Sequence, residues 1–500
     1  MFKKILVANR GEIAVRVLRA CREMDISSVT IYSDADAGAL HTRYADEVYY
    51  IGPAPAIESY LKIDEIISVA KKANAEAIHP GYGFLAENTE FARRCEKEGI
   101  VFIGPGSKAI ELLGDKIESK KTMSAAGIPV IPGSEGEIKD GKEALKLGQK
   151  IGFPVLIKAT GGGGGKGMRV VREKKDLISS MKQAMNEAQS AFGNPTIFIE
   201  KFLDSPRHIE FQILADNHGN VIHLFERECS VQRRHQKLIE ESPSAIMTPE
   251  LRTTMGNAAV KAVKASHYTN AGTVEFMVDK DRNFYFLEMN TRLQVEHPVT
   301  ELITGIDIVK EQLKLASGEI LSLKQDDIKM NGAAIECRIS AEDPENSFTP
   351  STGKIIELIE PGGPGVRVDS GIYEGFEVPV FYDPLIAKLL VWAPTRQEAI
   401  LRIKRALKEY IIRGIKTSIP FHLLVMSNQK FITGDYDTTF IDKVLGKIEY
   451  KKHYYKIAAI ASVIAKTLKE EKTTSVSAKT SQPGLNPWKL AARQSMMERL

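Results

Sequence analysis

Residues 155–171 read VLIKATGGGGGKGMRVV. Two short runs rich in apolar and β-branched residues, VLIKA and MRVV, bracket Gly161 to Gly165, then Lys166 and Gly167. Runs of this kind predict strands, and the glycines between them offer no side chain to a core. A flexible surface linker is the plain reading of five glycines. Against it stands the tight bounding by two strands, a setting in which glycine lets backbone N–H groups approach an anion closely. Two phosphate motifs fail on context. A P-loop needs Gly-Lys followed by Ser or Thr, and here Gly165-Lys166 is followed by Gly167. Gly162, Gly164 and Gly167 match GxGxxG by spacing, yet MRVV proposes a strand where the dinucleotide fold needs a helix. What remains is a glycine-rich hairpin able to fold over a nucleotide's phosphates.

Downstream of the hairpin, HIEFQILAD, VIHLFERECS, TVEFMVD and FYFLEMN alternate apolar and polar residues and predict antiparallel strands with one solvated face. Glu275 precedes Glu288 by thirteen residues, and Asn290 follows two further on. On neighbouring strands Glu288 and Asn290 share a face that Glu275 meets across the ladder. Two carboxylates and an amide are hard oxygen ligands suited to Mg2+. Lone glutamates on a hairpin are more often a solvated face. The even spacing of Glu288, Asn290, Arg292, Gln294 and Glu296, read as one strand face running up to His-Pro, weighs against that. Phosphoryl transfer calls for metal ligands, cations and a base. Lys116, Lys158 and Lys237 are candidate cations, and CSVQRRHQKLIEESP adds Gln232 and His235 in a polar run that otherwise reads as a solvated loop.

Upstream, KKILVANR, EIAVRVLRACREMD, SSVTIYSD, SYLKIDEIISVAKKAN and AEAIHP alternate strand-like and helix-like patterns, which predicts a parallel sheet covered by helices. IDIVKEQLKLASG and RQEAILRIKRALKEY are amphipathic helices. The fold class expected is therefore multidomain α/β and α+β: an α/β domain over 1–114, a connector over 115–130, a lid over 131–202 and a mostly antiparallel α+β domain over 203–447. The tail, 448–500, holds one helical pattern, YYKIAAIASVIAKTLKEE, and a linker-like TTSVSAKTSQPG; partner contact or mobility is expected of it.

Composition sets limits. The 68 basic residues nearly balance 64 acidic ones, for a net charge of +4, with no concentrated basic face or tail, so nucleic-acid binding is not expected. The N-terminal apolar run is too short for a signal peptide, and no run approaches the roughly 20 apolar residues of a membrane span. Cys21, Cys95, Cys229 and Cys337 stand far apart with no CxxC pair, so neither disulfides nor a zinc site is expected. A reduced cytoplasmic protein, away from membranes, fits these features.

ANRGEIAVRVLRA, HPGYGFLAEN, IKATGGGGGKGMRVV, ERECSVQRRHQK and EMNTRLQVEHPVTE together resemble the biotin carboxylases, enzymes of the ATP-grasp fold, over about residues 2–447. The resemblance implies a Rossmann-like N-terminal domain and a lid that closes over ATP, with Gly163, Gly164 and Gly165 in the lid. It implies that Lys116 and Lys158 contact the phosphates, and that Glu200, Lys201 and Leu203 contact the adenine. His208, Gln232 and His235 would line the nucleotide and biotin sites, and Tyr82 and Gly83 would lie near the biotin ring. Glu275, Glu288 and Asn290 would hold Mg2+ or Mn2+. Lys237, Arg292, Gln294 and Val295 would hold bicarbonate, Glu296 would deprotonate it, and Arg338 would stabilise the biotin enolate.

Met-Lys-Met, the usual site of biotin attachment, does not occur, and the expectation is that the biotin carrier and the carboxyltransferase are separate chains. The chain looks like the A subunit of a two-subunit pyruvate carboxylase, with an acetyl- or propionyl-CoA carboxylase component close behind. Family members pair as homodimers, for which Arg16, Arg19, Glu23, Arg367 and Asp383 are interface candidates. The nearest rival is another ATP-grasp ligase, which would share the lid and metal ligands but not QRRHQK with RLQVEHP. A silent nucleotide-binding scaffold would have lost a metal ligand or the base. A dehydrogenase fails because Asn9-Arg10-Gly11 replaces a glycine fingerprint after the first strand.

Overall fold

Short apolar strands alternate with amphipathic helices at the start of the chain, and they assemble as a parallel sheet. A computed structural model describes residues 1–134, 136–138, 140–159, 168–445 and 462–464. The chain divides into two units, Met1–Gly446 and Lys447–Leu500. In the second, 462–464 are helical with exposed side chains, and the rest of the predicted tail helix lies outside the described residues.

In the first unit, β1 (Lys4–Val7), β2 (Ser27–Tyr32), β3 (Glu47–Tyr50), β4 (Ala77–His79) and β5 (Val101–Phe102) form a sheet of order β3-β2-β1-β4-β5. All its pairings are parallel. Ile5 and Val7 pack on one side with Ile13, Val17 and Leu18 of α1 (Gly11–Glu23). Leu6 and Ala8 pack on the other with Ile31, Ile66 and Phe91. Both faces are apolar, as expected where helices cover a parallel sheet on both sides.

The strand order reverses between β1 and β4, where open α/β sheets usually bind ligands. Here the Asn9 side chain fills that place. Its Nδ2 donates to the carbonyls of Pro80 at 2.7 Å and Tyr82 at 2.8 Å. A Cβ on Gly81, at φ +63°, would sit 2.8 Å from the same nitrogen.

The strands flanking the glycines pair as predicted. Strands β6 (Val155–Ala159), β7 (Met168–Val171) and β8 (Ile197–Lys201) pair antiparallel in the order β7-β6-β8. Helices Gly141–Ile151 and Leu177–Phe192 supply Ala144, Leu177, Met181 and Ala184 to its own small core. Gly163, Gly164 and Gly165 lie outside the described residues.

The centre of the molecule is an eight-stranded antiparallel sheet. It contains β9 (Arg207–Ala215), β10 (Val221–Arg233), β11 (Gln236–Ser242), β12 (Asn270–Val278), β13 (Phe284–Asn290) and β14 (Ala333–Ser340). The order is β13-β12-β9-β10-β11-β14, followed by strands Leu385–Ala393 and Val366–Ser370. One face packs Ile209, Phe211, Ile213, Val274 and Phe276 under helix Pro249–Ala265.

Two expectations need correction. The polar residues on the opposite face of the central strands are not solvated: Glu210, Gln212 and Arg227 are wholly buried. Helix His297–Thr304 covers this face, and Arg227 neutralises it by donating to Glu210, Gln212, Thr273 and Thr300. Alternation marks two environments, not which of them is wet. Second, Glu288 to Glu296 do not share one strand face. Strand β13 ends at Asn290, residues 291–296 turn, and Pro298 in the first turn starts helix His297–Thr304. Proline has no N–H to lose there and a helical φ already set, so His-Pro opens a helix.

Candidate active site

Register places the charges in rows. Glu275 of β12 lies opposite Glu288 of β13 on one side and Glu210 of β9 on the other, and Glu210 in turn faces Arg227 of β10. A row of three carboxylates would repel itself. Lys237 of β11 reaches across to relieve it. Its Nζ lies 2.5 Å from Glu210, 2.8 Å from Glu275 and 2.6 Å from Glu296. Burial disfavours its charge, but the three carboxylates outweigh burial and hold Lys237 well above the usual lysine range.

Glu296 is fully buried. Burial would keep it protonated, yet Lys237, Arg338 and Arg227 hold it well below the usual carboxylate range, so its carboxylate is ionised. Arg338 donates to Glu240 at 2.6 Å and to Glu296 at 2.9 Å. The Arg338 carbonyl is held by Ser418 Oγ at 2.9 Å and lies 2.7 Å from His422 Nε2, which fixes the strand from the far side.

Around this centre the other predicted residues are distributed unevenly. Glu275 accepts from Asn290 at 2.7 Å and Gln294 at 3.1 Å, and lies 2.7 Å from His208 Nε2. Burial disfavours the His208 charge, but Glu275 reverses this and raises His208 above the ordinary imidazole value. Arg292 donates to Glu87 at 2.9 Å, to Asn290 at 3.1 Å and to Gln294 at 3.2 Å. Val295 offers its carbonyl to Lys388 at 3.0 Å. Lys116 opens helix Lys116–Ala125 and lines a cavity with Glu87, Glu288 and Asn290. Lys158 of β6 pairs with Glu200 of β8 at 2.6 Å, and Lys120 closes on the same carboxylate. Gln232 is buried opposite Lys237 on the paired strand. Tyr82 and Gly83 sit in the turn that Asn9 holds.

Three predicted residues stand apart from the buried centre. His235 is exposed at the β10–β11 turn, where Arg234 and His235 both take positive φ, +50° and +65°. Lys201 turns its Nζ to the Gly152 carbonyl at 2.9 Å. Leu203 lies two residues past β8. Glu87, Lys120, Glu210, Arg227, Glu240 and Lys388 escaped the sequence reading. Glu87 lay within HPGYGFLAEN and was legible there. Arg227 likewise lay within ERECSVQRRHQK; the others stand on elements whose partners are distant in sequence, so no local motif marks them.

Glu275 faces Glu288 across adjacent strands and accepts from Asn290, two residues further on; their oxygens are hard donors that would suit a divalent cation such as Mg2+.

Comparison with known proteins agrees with this geometry. Residues 1–110 match the biotin carboxylase N-terminal domain, 115–324 the carbamoyl-phosphate synthase L chain ATP-binding domain, and 336–443 the biotin carboxylase C-terminal domain. The chain is 61% identical over 444 residues to the A subunit of pyruvate carboxylase from Methanothermobacter thermautotrophicus, covering 89% of this chain and 90% of that one. It is 55% identical to biotin carboxylase 1 of Bacillus subtilis, covering 88% and 98%. Among solved structures, the biotin carboxylase domain dimer of the Hydrogenobacter thermophilus 2-oxoglutarate carboxylase, in complex with MgADP, ADP and bicarbonate, superposes with a TM-score of 0.85. That match has 51% identity and covers 90% of this chain and 100% of that one. With its buried lysine, ionised glutamate and converging carboxylates set on this fold, the chain belongs to the biotin carboxylase family.

Proposed function

We propose that the chain is an ATP-dependent, ADP-forming biotin carboxylase that uses bicarbonate to carboxylate biotin presented by a separate carrier protein. The observation that carries this reading is that Lys237 and Arg338 both stand within hydrogen-bond reach of ionised Glu296. A cation to hold bicarbonate, a base to deprotonate it and a guanidinium to stabilise an enolate are what the reaction needs at one point.

In this reading Lys237, Arg292, Gln294 and Val295 hold bicarbonate, and Glu296 takes its proton. A bicarbonate oxygen then attacks the γ-phosphorus, giving carboxyphosphate and ADP. Lys116 and Lys158 steady the phosphates under the glycine loop of Gly163, Gly164 and Gly165, and closing the lid would protect carboxyphosphate from water. Glu200, Lys201 and Leu203 receive the adenine, and His208, Gln232 and His235 line the nucleotide and biotin sites. A magnesium ion on Glu275, Glu288 and Asn290 would offset phosphate charge. Carboxyphosphate breaks down to CO2 and phosphate, and phosphate takes the biotin N1 proton. The resulting enolate lies beside Arg338, whose charge survives at any working pH, and attacks CO2. Tyr82 and Gly83 flank the biotin ring.

The 61%-identical relative favours pyruvate as final acceptor, in a complex with separate carrier and carboxyltransferase chains; an acyl-CoA remains the second choice. A homodimer is supported by the dimeric relative. Arg19, Glu23 and Asp383 are candidates for its interface. Arg16 and Arg367 meet on Glu301 within the chain, at 2.8 and 2.7 Å, so their part in it would be indirect. Among the described residues no helix is long and apolar enough to cross a membrane, and we place the enzyme in the cytoplasm.

The test is ADP release by the purified chain with Mg-ATP and bicarbonate, with and without free biotin, beside Glu296→Ala. Biotin-stimulated turnover that the variant loses is the expected result. Turnover indifferent to biotin would instead point to another ATP-grasp ligase.

A further inference from the structure

Lys388 is among the buried charges to which the mechanism gives no task. Lys388, on the strand Leu385–Ala393, has no exposed surface. Register puts it directly opposite Arg338 on one side and Asp369 on the other, so two cations stand side by side on one face of the sheet. Like charges so placed repel, and burying an ammonium has its own desolvation cost. An apolar residue of similar volume would complete the sheet without either penalty.

The contacts of Lys388 show what its charge accomplishes. Its Nζ donates to the Val295 carbonyl at 3.0 Å, lies 3.2 Å from Glu12 and 4.0 Å from Asp369, and stands 5.8 Å from the centre of the Tyr82 ring. Val295 separates Gln294 from Glu296 in the turn after β13. Glu12 belongs to the first turn of α1, which presses on the end of strand Val366–Ser370: a Cβ on Gly371 would meet the Glu12 nitrogen at 2.7 Å. One ammonium thus ties the turn carrying the base to the N-terminal domain, and does so next to Arg338.

We propose that Lys388 is a positioning residue for bicarbonate: by holding the Val295 carbonyl against Glu12 it locks the Gln294–Val295–Glu296 turn in the shape that binds the anion and aims the Glu296 carboxylate. It touches no substrate and acts through the turn. This rests on the biotin carboxylase reading of the site.

Two readouts separate the possibilities: bicarbonate binding by calorimetry in the presence of MgADP, and KM for bicarbonate against KM for ATP. In Lys388→Met, bicarbonate affinity falls by about tenfold or more, the range seen when outer supports of a site are removed, while the KM for ATP stays within about twofold. Lys388→Met combined with Glu12→Gln removes both charges of the pair and shows the same loss if the single variant does not fold. Lys388→Arg keeps the charge but spreads its donors over a planar fork, so bicarbonate binds about threefold more weakly. A folded Lys388→Met variant, alone or with Glu12→Gln, that binds bicarbonate as the wild type does overturns the proposal. Wild-type protein that binds bicarbonate but shows no biotin-stimulated ADP release would sink the biotin reading and leave the role of Lys388 standing.

Discussion

The five-stranded parallel sheet and the eight-stranded antiparallel sheet use alternation in opposite ways. In the first, odd and even residues both enter apolar cores, Ile5 and Val7 on one side and Leu6 and Ala8 on the other. In the second, Ile209, Phe211 and Ile213 enter a core while Glu210 and Gln212 enter an equally dry layer of charge. A sheet covered on both faces has no need of polar residues for solubility. Where it has them, they are neutralised one by one, and that is where the proposed chemistry lies.

The sharpest break in this comparison comes from Glu296→Gln, which should lower biotin-dependent ADP release by roughly 10²–10⁴-fold, the range expected for a general base, measured at saturating ATP. Next, Arg227→Met deprives buried Glu210 of one of its two counter-ions, at a cost of up to about 3–5 kcal/mol in denaturant unfolding. Because Glu210 also holds Lys237, the bicarbonate KM should rise with it. The matching change in the other sheet, Ile31→Ala, opens a cavity costing about 2–5 kcal/mol and should leave KM for bicarbonate and ATP unchanged. If Ile31→Ala moved those constants, the two sheets would not be separable in function. Glu87→Gln weakens the hold on Arg292 and should raise the bicarbonate KM by about threefold to tenfold, with stability unchanged.

The smallest effect concerns pH. Burial pushes His41 and His79, beside the parallel sheet, down to about 4. Their unfolded forms take up protons near pH 6.5, so the unfolded state binds more protons between those values. The stability they contribute is present above pH 6.5 and is lost as pH falls towards 4. His41→Gln should flatten the fall in melting temperature over that window.

Much of this organisation was legible in the residues. The hairpin around the glycines, the βαβ start and the pairing of Glu275 with Glu288 follow from period and spacing, because those signals are local. The burial of Glu210 was not legible, since HIEFQI reads the same whether its polar face meets water or the helix His297–Thr304. Nor was the break after Asn290: even spacing imitates a strand, and only Pro298, read as a helix start rather than as the end of a polar face, could have corrected it. Lys388 sits in LIAKLLVW, where a single lysine looks like the solvated side of a strand. Its partners Glu12, Val295 and Asp369 come from three distant parts of the chain.

The three carboxylates around Lys237 have a consequence for turnover. They already occupy the positions that an anion's oxygens would seek, and Glu200 does the same for Lys158. An arriving anion therefore competes with the protein's own side chains, and its affinity is only the margin by which it wins. When it leaves, those side chains close the gap behind it, so departure exposes no bare buried cation. On the proposed reading of Lys237 and Lys158 as anion holders, this arrangement would favour release over tight grip.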